Sequence, residues 1–465
     1  MRPRSSSKEE PQEDLFRVSL EKIIDRRQPL VKLGEQINWG VFDERFGSLY
    51  HQTQGRPGNP TRLMVGLHYL KYTYALSDEE VVERWMENAY WQYFCGEKYF
   101  EYKAPIDPTS MTRWRKKVGV EGAEELLKET IQTALRMKAV RAREFESVNV
   151  DTTVQEKAIT YPTDSKLYNR MRAKLVALAK RRGVNLRQSY VRKGPLALLK
   201  ANRYFHARQH KRARRKVRNL KSYLRWVSSD IRRKIAGNEE LEAEFAELLS
   251  LSDKLLSQQR DDKNKLYSIH APEVECIAKG KTHKKYEFGN KVSVVSTSRK
   301  GLVIGAKAFH GNPYDGHTLA AAMEQAEHLS GRELDGDVIV DLGYRRHDYQ
   351  GPARIHIART KKFKGRLRRL VRRRNAIEAK IGHMKNNSRL DRNFLLGRDG
   401  DCINALLCGC GVNLQLLIGV LYLHLYFSLF SVLKICRNSI TSLLRPFYPL
   451  YLPKNKEFTL ALVHY

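Results

Sequence analysis

Two short apolar runs, rich in β-branched residues and far apart in the chain, set the class of fold open to it. The first covers 145–153 and includes Val148, Val150 and Asp151; the second covers 337–344 and includes Val338, Ile339, Val340 and Asp341. Both read as buried strands, and each apolar run ends on an aspartate. The long stretch between them is mostly helical in pattern, so the expected class is α/β with a mixed sheet. A carboxylate at the C-terminal end of a strand, where a sheet opens onto its ligand crevice, is placed for chemistry. Taken singly, either aspartate reads equally well as the cap of a turn or helix.

A third acid comes from residues 371–385, which read as one helix. At roughly 100° per residue, Glu378 lies roughly 40° and Lys385 roughly 20° around from Arg374, so two cations flank one carboxylate. Ile377, Ile381 and Met384 form a neighbouring apolar stripe that can be buried. Alone, Arg374 and Glu378 are also an ordinary i,i+4 pair on a solvated helix. Together, Asp151, Asp341 and Glu378 offer three hard oxygen ligands of the kind that suit magnesium or manganese and phosphoryl transfer.

The charge balance narrows the partner. The chain carries 85 Lys and Arg against 51 Asp and Glu, a formal charge of +34. That excess calls for a polyanion, most simply nucleic acid, although ribosomal and membrane-surface proteins can be as basic. A basic run, Arg366 to Arg374, leads straight into the acid helix. Six cysteines make no CxxC pair, so a zinc site is not expected, and their use suits a reducing, cytoplasmic compartment. The N-terminus has no apolar segment of the signal-peptide kind.

Along the chain, a polar tail (1–13) precedes a helical segment (14–142). Within it a helix opens at Pro60-Thr61, and Ser77 with Glu80 reads as a capping box. A short basic helix starts at Pro108-Thr109 and carries Arg113, Trp114, Arg115, Lys116 and Lys117, a candidate DNA-reading element. A long amphipathic helix from Glu121 to Val140 follows. An insertion at 166–268 reads as a projecting helical hairpin, with Lys211, Arg212 and Arg215 among the cations of its first arm suited to a phosphate backbone. Residues 291–296 and 302–309 read as a hairpin extending the Asp151 sheet. The apolar stretch from Leu414 to Leu433 has the length of a bilayer span. A core or oligomer-facing helix that buries Leu423 is the expectation, without membrane association.

These features resemble the DDE transposases of bacterial insertion sequences, in the branch named for a Tyr-Arg-Glu-Lys signature. Arg374, Glu378 and Lys385 match that signature's spacing, with Val371 where the tyrosine is usual. Further matching stretches are 150–154 with 161–165, Lys279-Gly280-Lys281 with 286–289, and 310–317. The resemblance runs from about residue 30 to about residue 420. It implies an RNase H-like catalytic core over 143–435, a mixed sheet with flanking helices interrupted by the insertion. An N-terminal helical domain would contact terminal inverted repeats, and an irregular tail would occupy 436–465, beyond the resemblance and readable as a translated extension.

The resemblance also implies a mechanism. Asp151, Asp341 and Glu378 would be catalytic and would hold two divalent ions, Mg2+ or Mn2+, while Arg374 and Lys385 position DNA phosphates. The partners implied are double-stranded DNA, both repeat ends and target, and a second copy of the chain in a homodimeric DNA complex on the bacterial chromosome. A structure-specific nuclease of similar fold, or a basic nucleic-acid-binding protein without chemistry, would account for parts of the same pattern.

Overall fold

The computed structural model describes residues 18–51, 55, 57–259, 261–278, 284–358 and 363–444, with side chains described as far as 425. The matching stretch at Lys279-Gly280-Lys281, the tail at 1–13 and residues 445–465 lie outside the described residues. Seven helices lead in: α1 (Leu20–Ile23), α2 (Pro29–Gln36), α3 (Gly40–Gly47), α4 (Thr61–Thr73), α5 (Asp78–Glu87), α6 (Ala89–Phe94) and α7 (Thr109–Arg136). Next come β1 (Ser147–Glu156), the insertion helices α8 (Asp164–Arg181), α9 (Lys193–His206), α10 (His210–Ile235) and α11 (Glu239–Ser257), and then β2 (Glu275–Ala278), β3 (Tyr286–Thr297) and β4 (Val303–Phe309). The chain closes with α12 (Leu319–Ser330), β5 (Asp337–Val340), β6 (Arg354–Ile357), α13 (Gly365–Arg373), α14 (Asn375–Asn387) and α15 (Gly397–Leu444).

One mixed sheet carries both aspartates. Its order is β2-β3-β1-β5-β6, with β4 also beside β3. β3 runs antiparallel to β1, β2 and β4, whereas β1, β5 and β6 run parallel. β5 is short and buried at all four positions, three of them apolar. The expected hairpin is β3–β4, and it extends the Asp151 sheet. Helices α7, α12, α14 and α15 pack against these strands.

The local signals at helix starts hold. Ser77 and Glu80 form both bonds of the capping box that opens α5, and Thr163 caps α8 by accepting from the Lys166 N–H. Two helical expectations are corrected. The basic helix and the long helix after it are one helical run, α7, broken at Gly119, where φ of 66° and ψ of −162° leave the helical region. The segment 371–385 is two helices, α13 and α14, that meet at Arg374, whose own dihedrals remain helical.

The insertion is not a hairpin. Its four helices close around a second apolar core that includes Leu175, Leu220, Leu224, Ile231 and Phe245. A hairpin would leave the apolar faces of α8 and α9 in water, and the other two helices cover them. In contrast, the N-terminal helices share a single core with the sheet, running from Leu30 on α2 to Leu417 on α15. No break in packing marks the expected boundary near 142.

α15 supplies much of that shared core through Ile403, Leu406, Leu407, Val412, Leu414 and Leu417. Leu423, expected to be buried, is 57% exposed, because the helix has by then passed the end of the elements it packs against. Gly397–Leu425 is long and apolar enough to cross a membrane by length and composition, and 56% of its most apolar window is buried within the chain. The helix continues past 435, where an irregular tail was expected to begin.

Candidate active site

Asp151 stands in the middle of β1, not at its end, since β1 stays paired with β3 as far as Glu156. On its other side β1 loses its neighbour early: pairing with β5 covers only Ser147 to Asn149, opposite Asp337 to Ile339. Continuing that register by two residues sets Asp341 against Asp151. The sheet therefore opens beside Asp151, and that opening supplies the crevice expected of a strand end. Asp341 turns the chain out of β5, its Oδ1 accepting from the Gly343 N–H at 2.8 Å.

The third acid arrives on α14, which lies against β1 with Ile377, Ile381 and Met384 buried as expected. Glu378 itself is 64% exposed at its side chain. Arg374 links it to the strand acid: Nη2 donates to Glu378 Oε1 at 3.0 Å, and Nη1 approaches Asp151 Oδ2 at 3.5 Å. Arg374 was expected to reach DNA phosphates. It is instead buried, with its guanidinium drawn to the two carboxylates. Lys385 lies about 10 Å beyond Glu378 along α14 at about 1.5 Å per residue, half-buried.

Burial, and then the charge of Asp341, push the Asp151 carboxyl up to about 6. Glu378 adds to the rise, and Arg374 with the Thr152 N–H opposes it. Burial and mutual repulsion of hard-oxygen donors are what a bound dication relieves, so Asp151 and Asp341 fit a divalent ion. Glu378 does not complete the set in this arrangement. Among the described residues no three His, Cys, Asp or Glu side chains stand close enough to hold one ion, and Arg374 fills the gap between Glu378 and Asp151.

Three neighbours of the acids were missed in the sequence. Asp315 accepts from Thr152 Oγ1 at 2.9 Å and from Lys291 Nζ at 2.8 Å, which brings a fourth carboxylate beside β1. Its signal was present, since it lies in the 310–317 stretch that matched the family. Lys291, set in a buried strand, required a partner, but nothing local named it. Tyr344 is fully buried beside the acids, with the Ser293 hydroxyl next to its own. Burial first, and then the charges of Asp151, Asp315 and Asp341, hold that phenol well above its usual range.

The basic residues divide. α13 presents Arg366, Arg368, Arg369, Arg372 and Arg373 to solvent and buries only Leu370, so an arginine track leads directly to Arg374. Arg113, Lys116 and Lys117 are exposed on α7, and Lys211, Arg212 and Arg215 are exposed on α10. Arg115, expected among the DNA contacts, is 4% exposed and turned inward. Its guanidinium grips Asp78 with both nitrogens and donates to His68 Nε2. Burial and the Arg115 charge take His68 down to about 3, which leaves it a neutral acceptor. Helix phase explains the division: Met111, Trp114, Arg115 and Val118 are the buried face of α7, and its cations face out at the positions between.

Residues 18–117 match a family model described as Transposase domain (DUF772). A protein of Rhizobium meliloti described as uncharacterized protein ORF8 in nfe locus is 56% identical over 196 residues, covering 42% of this chain and 94% of that protein. No solved structure matches the chain. The matched model takes in α1 to α6 and the basic start of α7, so this part of the chain resembles a transposase domain, and the chain belongs to one family with the Rhizobium meliloti protein.

Proposed function

We propose that the chain is a DDE transposase, which binds the terminal inverted repeats of its element and carries out metal-dependent strand cleavage and strand transfer. The observation that carries this reading is the convergence of Asp151, Asp341 and Glu378, remote in sequence, on one opening in the sheet at the end of an arginine track. The mixed sheet, antiparallel on the β4-β3-β1 side and parallel on the β1-β5-β6 side with helices against it, supports an RNase H-like core.

Asp151 and Asp341 would hold a first ion, and Glu378 would complete the ligand set once Arg374 gives way. Two divalent ions, Mg2+ or Mn2+, would activate water or a DNA 3′-hydroxyl and stabilise the leaving oxygen. Displaced toward solvent, Arg374 would meet the scissile or flanking phosphate, with Lys385 farther along the same helix fixing register. The α13 arginines, with Arg113, Lys116, Lys117, Lys211, Arg212 and Arg215, would hold duplex DNA without reading its sequence. A homodimer on bacterial chromosomal DNA in the cytoplasm is the working assembly of this reading.

The test is cleavage and joining of a repeat-end duplex by the purified chain. Asp151→Asn, Asp341→Asn and Glu378→Gln should each cut at a rate lower by about a thousandfold or more, since each removes an ion ligand. End binding should stay within about threefold, because the phosphate contacts remain. A variant that cuts at the full rate removes that residue from the ligand set. Cutting without transfer of the 3′ end to a target plasmid would make the chain a nuclease.

A further inference from the structure

A second basic surface, with aromatic rings set into it, lies on the insertion. α10 carries eleven Lys and Arg against a single acid, Asp230. Midway along it Tyr223 stacks flat on Tyr190, with ring centroids 4.4 Å apart and planes 9° from parallel. Trp226 leans on both, 6.0 Å from Tyr223 and 5.8 Å from Tyr190. Trp226 is 52% exposed, although the core of the insertion lies one residue away at Val227. Tyr190 is held there from the α8–α9 loop with a φ of 53°, a left-handed conformation that a tyrosine adopts only under constraint.

Tyr190 and Trp226 open onto a cavity of about 530 Å³ whose lining also includes Arg187, Gln188, Arg232, Arg233 and one acid, Asp230. Arg232 is paired with Asp253 as an exposed pair that a phosphate can displace, whereas Arg233 reaches a buried carboxylate, Asp230. The backbone N–H of Arg187 is anchored on Asp230 Oδ2 at 2.8 Å, which leaves its exposed side chain to face the cavity rim.

We propose that this cavity receives one unstacked base of single-stranded or locally opened DNA, laid on Trp226 and Tyr190, with its flanking phosphates on Arg187 and Arg232. The surrounding charge selects a polyanion, and a nucleic acid is the polyanion that also brings flat aromatic faces to stack on exposed rings. A duplex hides those faces, so the site answers to melted DNA. It goes beyond the DDE reading and needs none of the three acids.

Fluorescence tests it in the full chain. The chain has five tryptophans. Trp85, Trp91 and Trp114 are buried, Trp39 is half-buried, and Trp226 is exposed. A short oligothymidylate should quench the exposed emission. An abasic strand of equal length, with the same phosphates and no bases, should bind about five- to a hundredfold more weakly, the range for one stacked base. Trp226→Ala should lose the quenching and bring the intact-to-abasic ratio to within about twofold. Trp226→Phe should keep most of that ratio, and duplex affinity should move by less than about twofold in both. Equal binding of intact and abasic strands by the unmodified chain overturns the proposal, and so does an unchanged ratio in Trp226→Ala. Neither result bears on cleavage, so the proposal and the DDE reading fail separately.

Discussion

Asp151 shows how much of a site is set by a single side chain's surroundings. The unfolded chain gives up this proton near 3.8, whereas the folded one holds it to about 6. Between those values the folded state binds more protons, so stability falls as pH rises through the window and the cost is complete above it. The rise corresponds to up to about 3 kcal/mol. Metal-free Asp151→Asn should therefore resist denaturant better than the unmodified chain at pH 7.5, with the difference gone near pH 4. A variant no more stable at pH 7.5 would show that Arg374 already balances the charge. Arg115 makes the complementary point: it shares a cationic run with Lys116 and Lys117, but helix phase takes it inward onto Asp78.

At the scale of elements, the breaks carry more information than the helices. α7 changes direction at Gly119, where φ of 66° with ψ of −162° is a combination essentially closed to residues with a Cβ. No atom crowds the position of an added Cβ there, so the penalty of a side chain is conformational alone. Gly119→Ala should cost about 1–3 kcal/mol in equilibrium unfolding. If it unfolds like the unmodified chain, the kink is not a constraint. The break at Arg374 serves the site directly. It lets α13 expose its arginines while α14 turns Ile377, Ile381 and Met384 onto β1.

The whole molecule is organised around two cores of different character. The larger joins the N-terminal helices to the sheet, and a buried polar seam crosses it. Tyr72 donates to Asn404, Asn404 to Gln155 and Gln155 to Asn290, while Lys157 is paired with Asp401 and Glu273. Each partner satisfies a group that would otherwise be buried unpaired, so the transposase domain and the sheet hold one register. The insertion has its own core and should open as its own unit. Leu224→Ala, at its centre, should cost about 2–5 kcal/mol there. Hydrogen exchange should speed up across α8–α11 while β1, β3 and β5 keep their protection. Equal loss in the sheet would show that the cores unfold together.

Apolar β-branched runs and 3.6-residue patterns made β1, β5, the β3–β4 hairpin, the starts of α4 and α7 and the cap of α5 legible before any coordinates, because these depend on neighbours within a few residues. The spacing of Arg374, Glu378 and Lys385, with the two strand aspartates, likewise marked the candidate acids. Other features depend on contacts between residues far apart, which no local period encodes. Parallel pairing that stops at Asn149 is what exposes Asp151 beside Asp341, and the joint charge of Asp151 and Glu378 draws Arg374 inward. Asp315 reaches Lys291 only after β3 is aligned with β1. The stacked rings of Tyr190, Tyr223 and Trp226 exist because the α8–α9 loop crosses α10. The amino-acid order set which chemistry could be assembled, and long-range packing decided which charges meet and which are left facing solvent.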